Sequence, residues 1–186
     1  MGSVVDARCA ALAAEQLGLI SLEQARALGL SDYATYRRVR RGRWIQRLPE
    51  VFCIGGSPAS FQQKVMSATM WCGDGSAASG WTAAALRGLE GFPQTRIEIS
   101  TINERRSRPG FIVCRVDRNL LRDIVNISGV PATSPRRTLL DISASPPQGR
   151  QRPRPMSLSP AGRRSRDVVV PGGTTTSLDQ IGRAHV

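Results

Sequence analysis

Apolar side chains recur at helical spacing at Leu22, Ala25 and Leu28, and again at Phe61, Val65, Ala68 and Cys72; they switch to alternation where Ile97 and Ile99 flank Glu98. Ahead of the first group, Asp6 to Leu17 is rich in alanine and leucine and predicts a helix that packs Leu12 and Leu17 behind Leu22 and Leu28. Ser21 precedes Leu22 and Gln24 follows three positions on, the spacing of a capping box, so a helix starts there and Gly29 ends it. Gly29-Leu30-Ser31 makes a turn, Ser31 caps a second helix over Asp32–Arg41, and Gly42 stops it. A strand around Trp44–Arg47, a turn at Leu48-Pro49-Glu50 and a return strand over Val51–Ile54 follow, closed by Gly55-Gly56. Two short helices joined by a glycine turn and followed by a hairpin are the pattern of a winged helix-turn-helix, assigned to residues 1–56.

Beyond Gly56 the pattern predicts a small α+β domain over residues 57–145. Ser60-Phe61-Gln62-Gln63 repeats the capping-box spacing and opens a helix to about Trp71, ended by Gly73-Asp74-Gly75. A short helix is expected over Ser79–Leu86, and a turn at Gly91-Phe92-Pro93. Ile97–Ser100 and Phe111–Val116 read as the two strands of a hairpin with Arg105–Gly110 as its turn, and Val130–Thr133 as a further short strand. Ser134 as cap, Pro135 at the first helical position, and Leu139, Leu140 and Ile142 specify a last helix ending near Ala144. From Ser145 the chain turns to proline, arginine, glycine and serine, a composition that buries too little surface to offset ordering entropy. Residues 146–186 are therefore read as a disordered tail or as out-of-frame, non-native sequence; the whole chain is α+β with that tail appended.

Charge sharpens the first segment. At about 100° per residue the second helix places Thr35 and Val39 on one side and Tyr33, Arg37, Arg40 and Arg41 on the other. Burying the latter face would strand guanidinium groups, so it must meet water or an anion. Between Tyr33 and Arg47 there are six arginines (Arg37, Arg38, Arg40, Arg41, Arg43 and Arg47) and no acid, unlike an ordinary mixed-sign surface. Tyr33, Arg37, Arg40 and Arg41 are the candidate DNA-reading face, with Arg43 and Arg47 placed to contact phosphate from the wing. Trp44 is read as packing, and Arg105, Arg106 and Arg108 as a solvated loop.

Overall composition adds less than its net charge of +12 over 186 residues suggests. Lys64 is the one lysine among 26 basic residues, a bias that GC-rich coding produces as readily as selection for phosphate contacts. Cys9, Cys53, Cys72 and Cys114 are widely spaced and read as buried thiols, not as a metal or catalytic set. His185, the single histidine, falls in the tail, and Asp141 ends a helix without a metal-binding companion. No catalytic residue, metal or cofactor is predicted. Asp6, Arg8 and Glu15 interrupt the apolar N-terminus, and no stretch has the length of a membrane span, so the expectation is a cytoplasmic protein that acts by binding.

Gly29-Leu30-Ser31 through Val39, Gly42-Arg43-Trp44, Val51-Phe52, Ser79–Leu89 (SGWTAAALRGL) and Pro135–Asp141, taken in order, resemble the AbiEi-type antitoxins of type IV toxin-antitoxin systems over roughly residues 10–145. The resemblance implies a winged helix-turn-helix that represses its own operon by binding operator DNA, and a following domain that antagonises a nucleotidyltransferase toxin. Similar bacterial proteins carry the same N-terminal architecture ahead of a nuclease domain resembling very-short-patch-repair endonucleases, which supplies the alternative: the DNA-targeting part of a truncated nuclease.

Overall fold

Leu17 and Gly18 both adopt positive φ, 57° and 81°, and this reversal separates the first helix from the first strand. The computed structural model describes residues 2–56 and 59–144. It begins with α1 (Gly2–Glu15), β1 (Leu19–Ser21), α2 (Leu22–Ala27), α3 (Asp32–Arg40), β2 (Trp44–Leu48) and β3 (Val51–Ile54). The sheet is antiparallel in the order β1-β3-β2, with Ile20 opposite Phe52 and Gln46 opposite Phe52 on the other side. This is a winged helix-turn-helix. Two details differ from the sequence reading: Leu17 lies outside α1 and packs with a different core from Leu12, and the three residues of β1 form a strand too short for alternation to announce it.

The capping box of α2 is complete. Ser21 Oγ accepts from Gln24 N at 3.1 Å, and Gln24 Oε1 accepts from Ser21 N at 3.0 Å. Gly29 takes φ 93°, which an L side chain would resist, and Ser31 Oγ accepts from Ala34 N to start α3. Across this turn Arg26 donates to Asp32 through two bonds of 2.6 Å, holding the end of α2 against the start of α3. Beneath them Cys9, Ala13, Ile20, Leu22, Ala25, Leu30, Trp44 and Phe52 form a core. Phe52 is fully buried between Tyr36, edge-on at 5.6 Å, and Trp44 at 6.0 Å; burial of such a ring stabilises by about 1.5–3 kcal/mol.

The second part comprises α4 (Phe61–Cys72), β4 (Ser76–Ala78), α5 (Gly80–Leu86), β5 (Ile97–Thr101), β6 (Phe111–Arg115), a 3-10 turn (Arg118–Asp123), β7 (Ile124–Ile127), β8 (Val130–Thr133) and α6 (Pro135–Ser143). Its strands form a mixed sheet in the order β6-β5-β4-β8-β7. The expected hairpin is not one: β5 and β6 pair in parallel, Ile97 opposite Phe111 through Thr101 opposite Arg115, and residues 102–110 carry the chain back along the sheet. Nor is the alternation in β5 the mark of a solvated face, since all five of its residues are buried. The side chains of Thr101 and Glu98 in it are satisfied internally. Thr101 Oγ1 meets Ser76 Oγ at 2.7 Å, and Glu98 accepts from Trp81 N at 2.9 Å and pairs with Arg96 at 2.6 Å.

Helix α4 belongs to both sheets. Its Val65, Met66, Ala68 and Cys72 share one core with Leu19, Val51 and Cys53 on one side and Ala78, Ile97, Ile99, Val130 and Ala132 on the other. Ser60 Oγ accepts from Gln63 N, but the expected capping box is half made: the buried Gln63 amide donates at 2.7 Å to the carbonyl of Leu17 instead. At the far end, Ser134 Oγ caps α6 through Arg137 N, Pro135 takes the first helical position, and Arg137 binds Asp141 at 2.9 Å, a structural partnership for that carboxylate. No helix of the described residues is long and apolar enough to cross a membrane. The tail expected over 146–186, with His185, lies outside the described residues.

Candidate nucleic-acid interface

The second helix of the helix-turn-helix, α3, divides as its periodicity requires. Thr35 is fully buried, Val39 half-buried, and Tyr33, Arg37 and Arg40 are exposed, Tyr33 at 67 %. Residues four apart share a helix face, so Tyr33, Arg37 and Arg41 stand in one row, with Arg41 exposed at the C-cap just past the last turn. The Arg40 guanidinium lies 5.7 Å from the centroid of the Tyr33 ring, tying the two ends of that face together. Arg43 is exposed in the turn leading to the wing. Arg47 is half-buried on β2, beside the register irregularity between Gln46 and Leu48. The outer surface of the wing is completed by exposed Ile45 and Gln46.

One arginine of the six does not belong with them. Arg38 is 8 % exposed: its Nε and Nη2 bind Asp6 Oδ1 at 2.8 and 2.6 Å, its Nη1 donates to Ala34 O at 2.8 Å, and its guanidinium lies 5.9 Å from the Trp44 ring. The run of six arginines is therefore not one uniform cationic patch, because an acid from α1 reaches in to pair with Arg38. A signal for this was present: Arg38 sits three residues after the buried Thr35 and beside Val39, on the inward stripe. Trp44, 5 % exposed, packs in the core against Phe52.

Four of the exposed arginines lack a carboxylate partner among the described residues. Arg37, Arg40, Arg41 and Arg43 make no ion pair among the described residues, while Asp32, the one acid of α3, is engaged by Arg26. That guanidinium holds the Asp32 carboxyl below its ordinary value, so the acid stays ionised and paired and does not offset the row behind it. A convex helix face bearing an aromatic hydroxyl and unpaired planar cations, beside a two-stranded wing, has the shape and chemistry to enter a groove of duplex nucleic acid and bind its phosphates.

Other candidate chemistry is thin. Among the described residues no group of three or more His, Cys, Asp or Glu side chains could hold a metal ion. Cys9, Cys53 and Cys72 are buried, and burial pushes the Cys72 thiol up to about 11 and raises that of Cys9. Cys114 departs from the reading of all four as buried: it is exposed on β6, an edge strand.

Comparison with known proteins finds a family model that matches the first segment. Residues 8–55, which span α1 to the end of the wing, match the family model described as "Transcriptional regulator, AbiEi antitoxin". A crystal structure of the RV2827C protein from Mycobacterium tuberculosis is similar at a TM-score of 0.47 and 17 % identity, over 74 % of this chain and 59 % of that one. The chain thus spans less than two thirds of the length of that protein. No curated protein sequence matches.

Proposed function

We propose that this chain, whose winged helix matches the AbiEi antitoxin regulators, is a cytoplasmic DNA-binding autorepressor of a type IV toxin-antitoxin system, acting by binding and not by catalysis. The observation that carries the reading is the outward face of α3, where Tyr33, Arg37, Arg40 and Arg41 stand exposed without a carboxylate partner. In it, residues 1–56 read operator DNA: α3 enters the major groove, with Arg43 and Arg47 holding phosphate from the wing. Residues 57–145 then form the surface that meets a nucleotidyltransferase toxin.

The test is a salt titration of the full chain on a duplex from its own promoter. Each phosphate neutralised contributes about 0.9 to the slope of log affinity against log salt. Arg37→Ala/Arg40→Ala should weaken binding by on the order of a hundredfold at about 0.15 M salt and flatten the slope by up to about two, with the melting temperature unchanged. Undiminished affinity in that variant would remove α3 as the reading face. Co-expression with the adjacent nucleotidyltransferase tests the antitoxin half: growth restored by the full chain supports it, and toxicity unaffected by the chain refutes it.

A further inference from the structure

The loop of residues 102–110 is exposed from Glu104 to Gly110, as expected, yet two of its arginines are held against a ring. Trp71, on the last turn of α4, is half-buried and held edge-on by Phe111 with ring centroids 5.6 Å apart. Two guanidinium groups of the loop lie against that one indole, Arg105 at 5.3 Å and Arg108 at 4.9 Å from its centroid. Arg106 stands exposed between them in sequence. The loop acid, Glu104, is taken by Arg115 at 2.9 Å, so Arg105, Arg106 and Arg108 make no ion pair among the described residues.

Two cations on one ring stand no more than about 10 Å apart, roughly a Debye length at 0.1 M salt, and their repulsion is only partly screened. Stacking of an exposed guanidinium on an aromatic ring returns about 0.5–1 kcal/mol each, which orders the side chains without neutralising them. The stacked pair is therefore charged, without an ion-pair partner among the described residues and held in place before any ligand arrives, which lowers the entropy lost on binding.

We infer that Arg105 and Arg108, ordered by Trp71, together with exposed Arg106 form a second contact for the phosphodiester backbone of duplex DNA, separate from the α3 face. This rests on the DNA-binding reading above and extends its footprint into the second part of the chain. A strand presenting one phosphate for about every 3.4 Å of duplex axis offers each guanidinium its own anion. The indole is already engaged by the two arginines, and the proposed contact is to phosphate alone, so it adds affinity and carries no sequence information.

The experiment compares the full chain with Arg105→Ala/Arg108→Ala, Arg105→Lys/Arg108→Lys and Arg37→Ala/Arg40→Ala on a promoter duplex and a scrambled duplex of equal length, over about 50–200 mM salt. All four positions are exposed, and thermal melts confirm that the variants fold. The alanine pair in the loop should weaken both duplexes by the same factor, about tenfold or more, and flatten the salt slope by about two, with lysine restoring most of it. A slope and affinity equal to wild type overturn the inference while leaving the α3 reading intact. Loss in the loop variant with none in the α3 variant supports the inference and removes the recognition face. If the wild-type chain binds neither duplex, both fall.

Discussion

Arg38 on α3 is bound through two nitrogens to Asp6 on α1, thirty-two residues earlier. The pair fixes α3 against α1 from its inner side, so the outer arginines project from a braced support. Removing the acid leaves a nearly buried guanidinium with one carbonyl and an indole for company. Asp6→Ala should therefore cost about 1–3 kcal/mol, read as a lower urea midpoint, and Arg38→Met should cost less than Asp6→Ala because it removes the charge itself. Equal stability of Asp6→Ala and wild type would show that the bond does not brace the helix.

The turn of the helix-turn-helix carries its own pH dependence. Arg26 lowers the Asp32 carboxyl through their hydrogen bonds, so the pair supports the fold at neutral pH and that support disappears as pH falls through the lowered Asp32 value. Wild type should be slightly more stable than Asp32→Asn at pH 6, with the gap closing well below the ordinary carboxyl value of 3.8. Both side chains are half exposed, so the effect is small and best read as amide-exchange protection at the start of α3. A gap that widens on acidification would contradict the assignment.

At α5 the N-terminus is capped from another strand. Ser79 makes no cap bond; Glu98 of β5 accepts from Trp81 N, and Gly80, at φ 50°, lets the carboxylate approach where any Cβ would overlap Glu98 Oε2. Gly80→Ala should destabilise by about 1–3 kcal/mol from strain and displacement of the carboxylate. Denaturant curves superimposable on wild type would mean the approach is not needed.

The four thiols should separate kinetically. With its value pushed up to about 11, Cys72 holds on the order of one thiolate per thousand at pH 8, and it is buried besides. Cys114 alone is exposed, so a thiol reagent should label one site quickly and Cys9, Cys53 and Cys72 only with unfolding. Two sites labelled at one rate under native conditions would refute the burial pattern.

The winged helix was legible in sequence because its determinants are local: Ser21 with Gln24, Gly29, Ser31, and the spacing of Leu22 and Ala25. What was not legible depended on distant partners. Nothing near Arg38 names Asp6, and nothing between Ile99 and Phe111 tells a parallel pair from a hairpin, since the alternation is the same in both. Gln63 looked like half of a capping box because its true acceptor, Leu17 O, lies forty-six residues away. The same limit governs the candidate interface. Exposure of Tyr33, Arg37 and Arg40 followed from periodicity, whereas the stacking of Arg105 and Arg108 on Trp71 required the fold.

Helix α4 has a hereditary consequence. With Val65 fully buried in a core that touches Leu19 and Val51 as well as Val130 and Ala132, a change of one methylene there must be absorbed on two sheets encoded far apart in the gene. Among descendants of this chain, drift at positions 19, 51 and 53 should be matched by compensating drift at 65, 130 and 132. Recombination that joined the winged helix of one lineage to the sheet of another would break that match, so the two halves should be inherited as a pair.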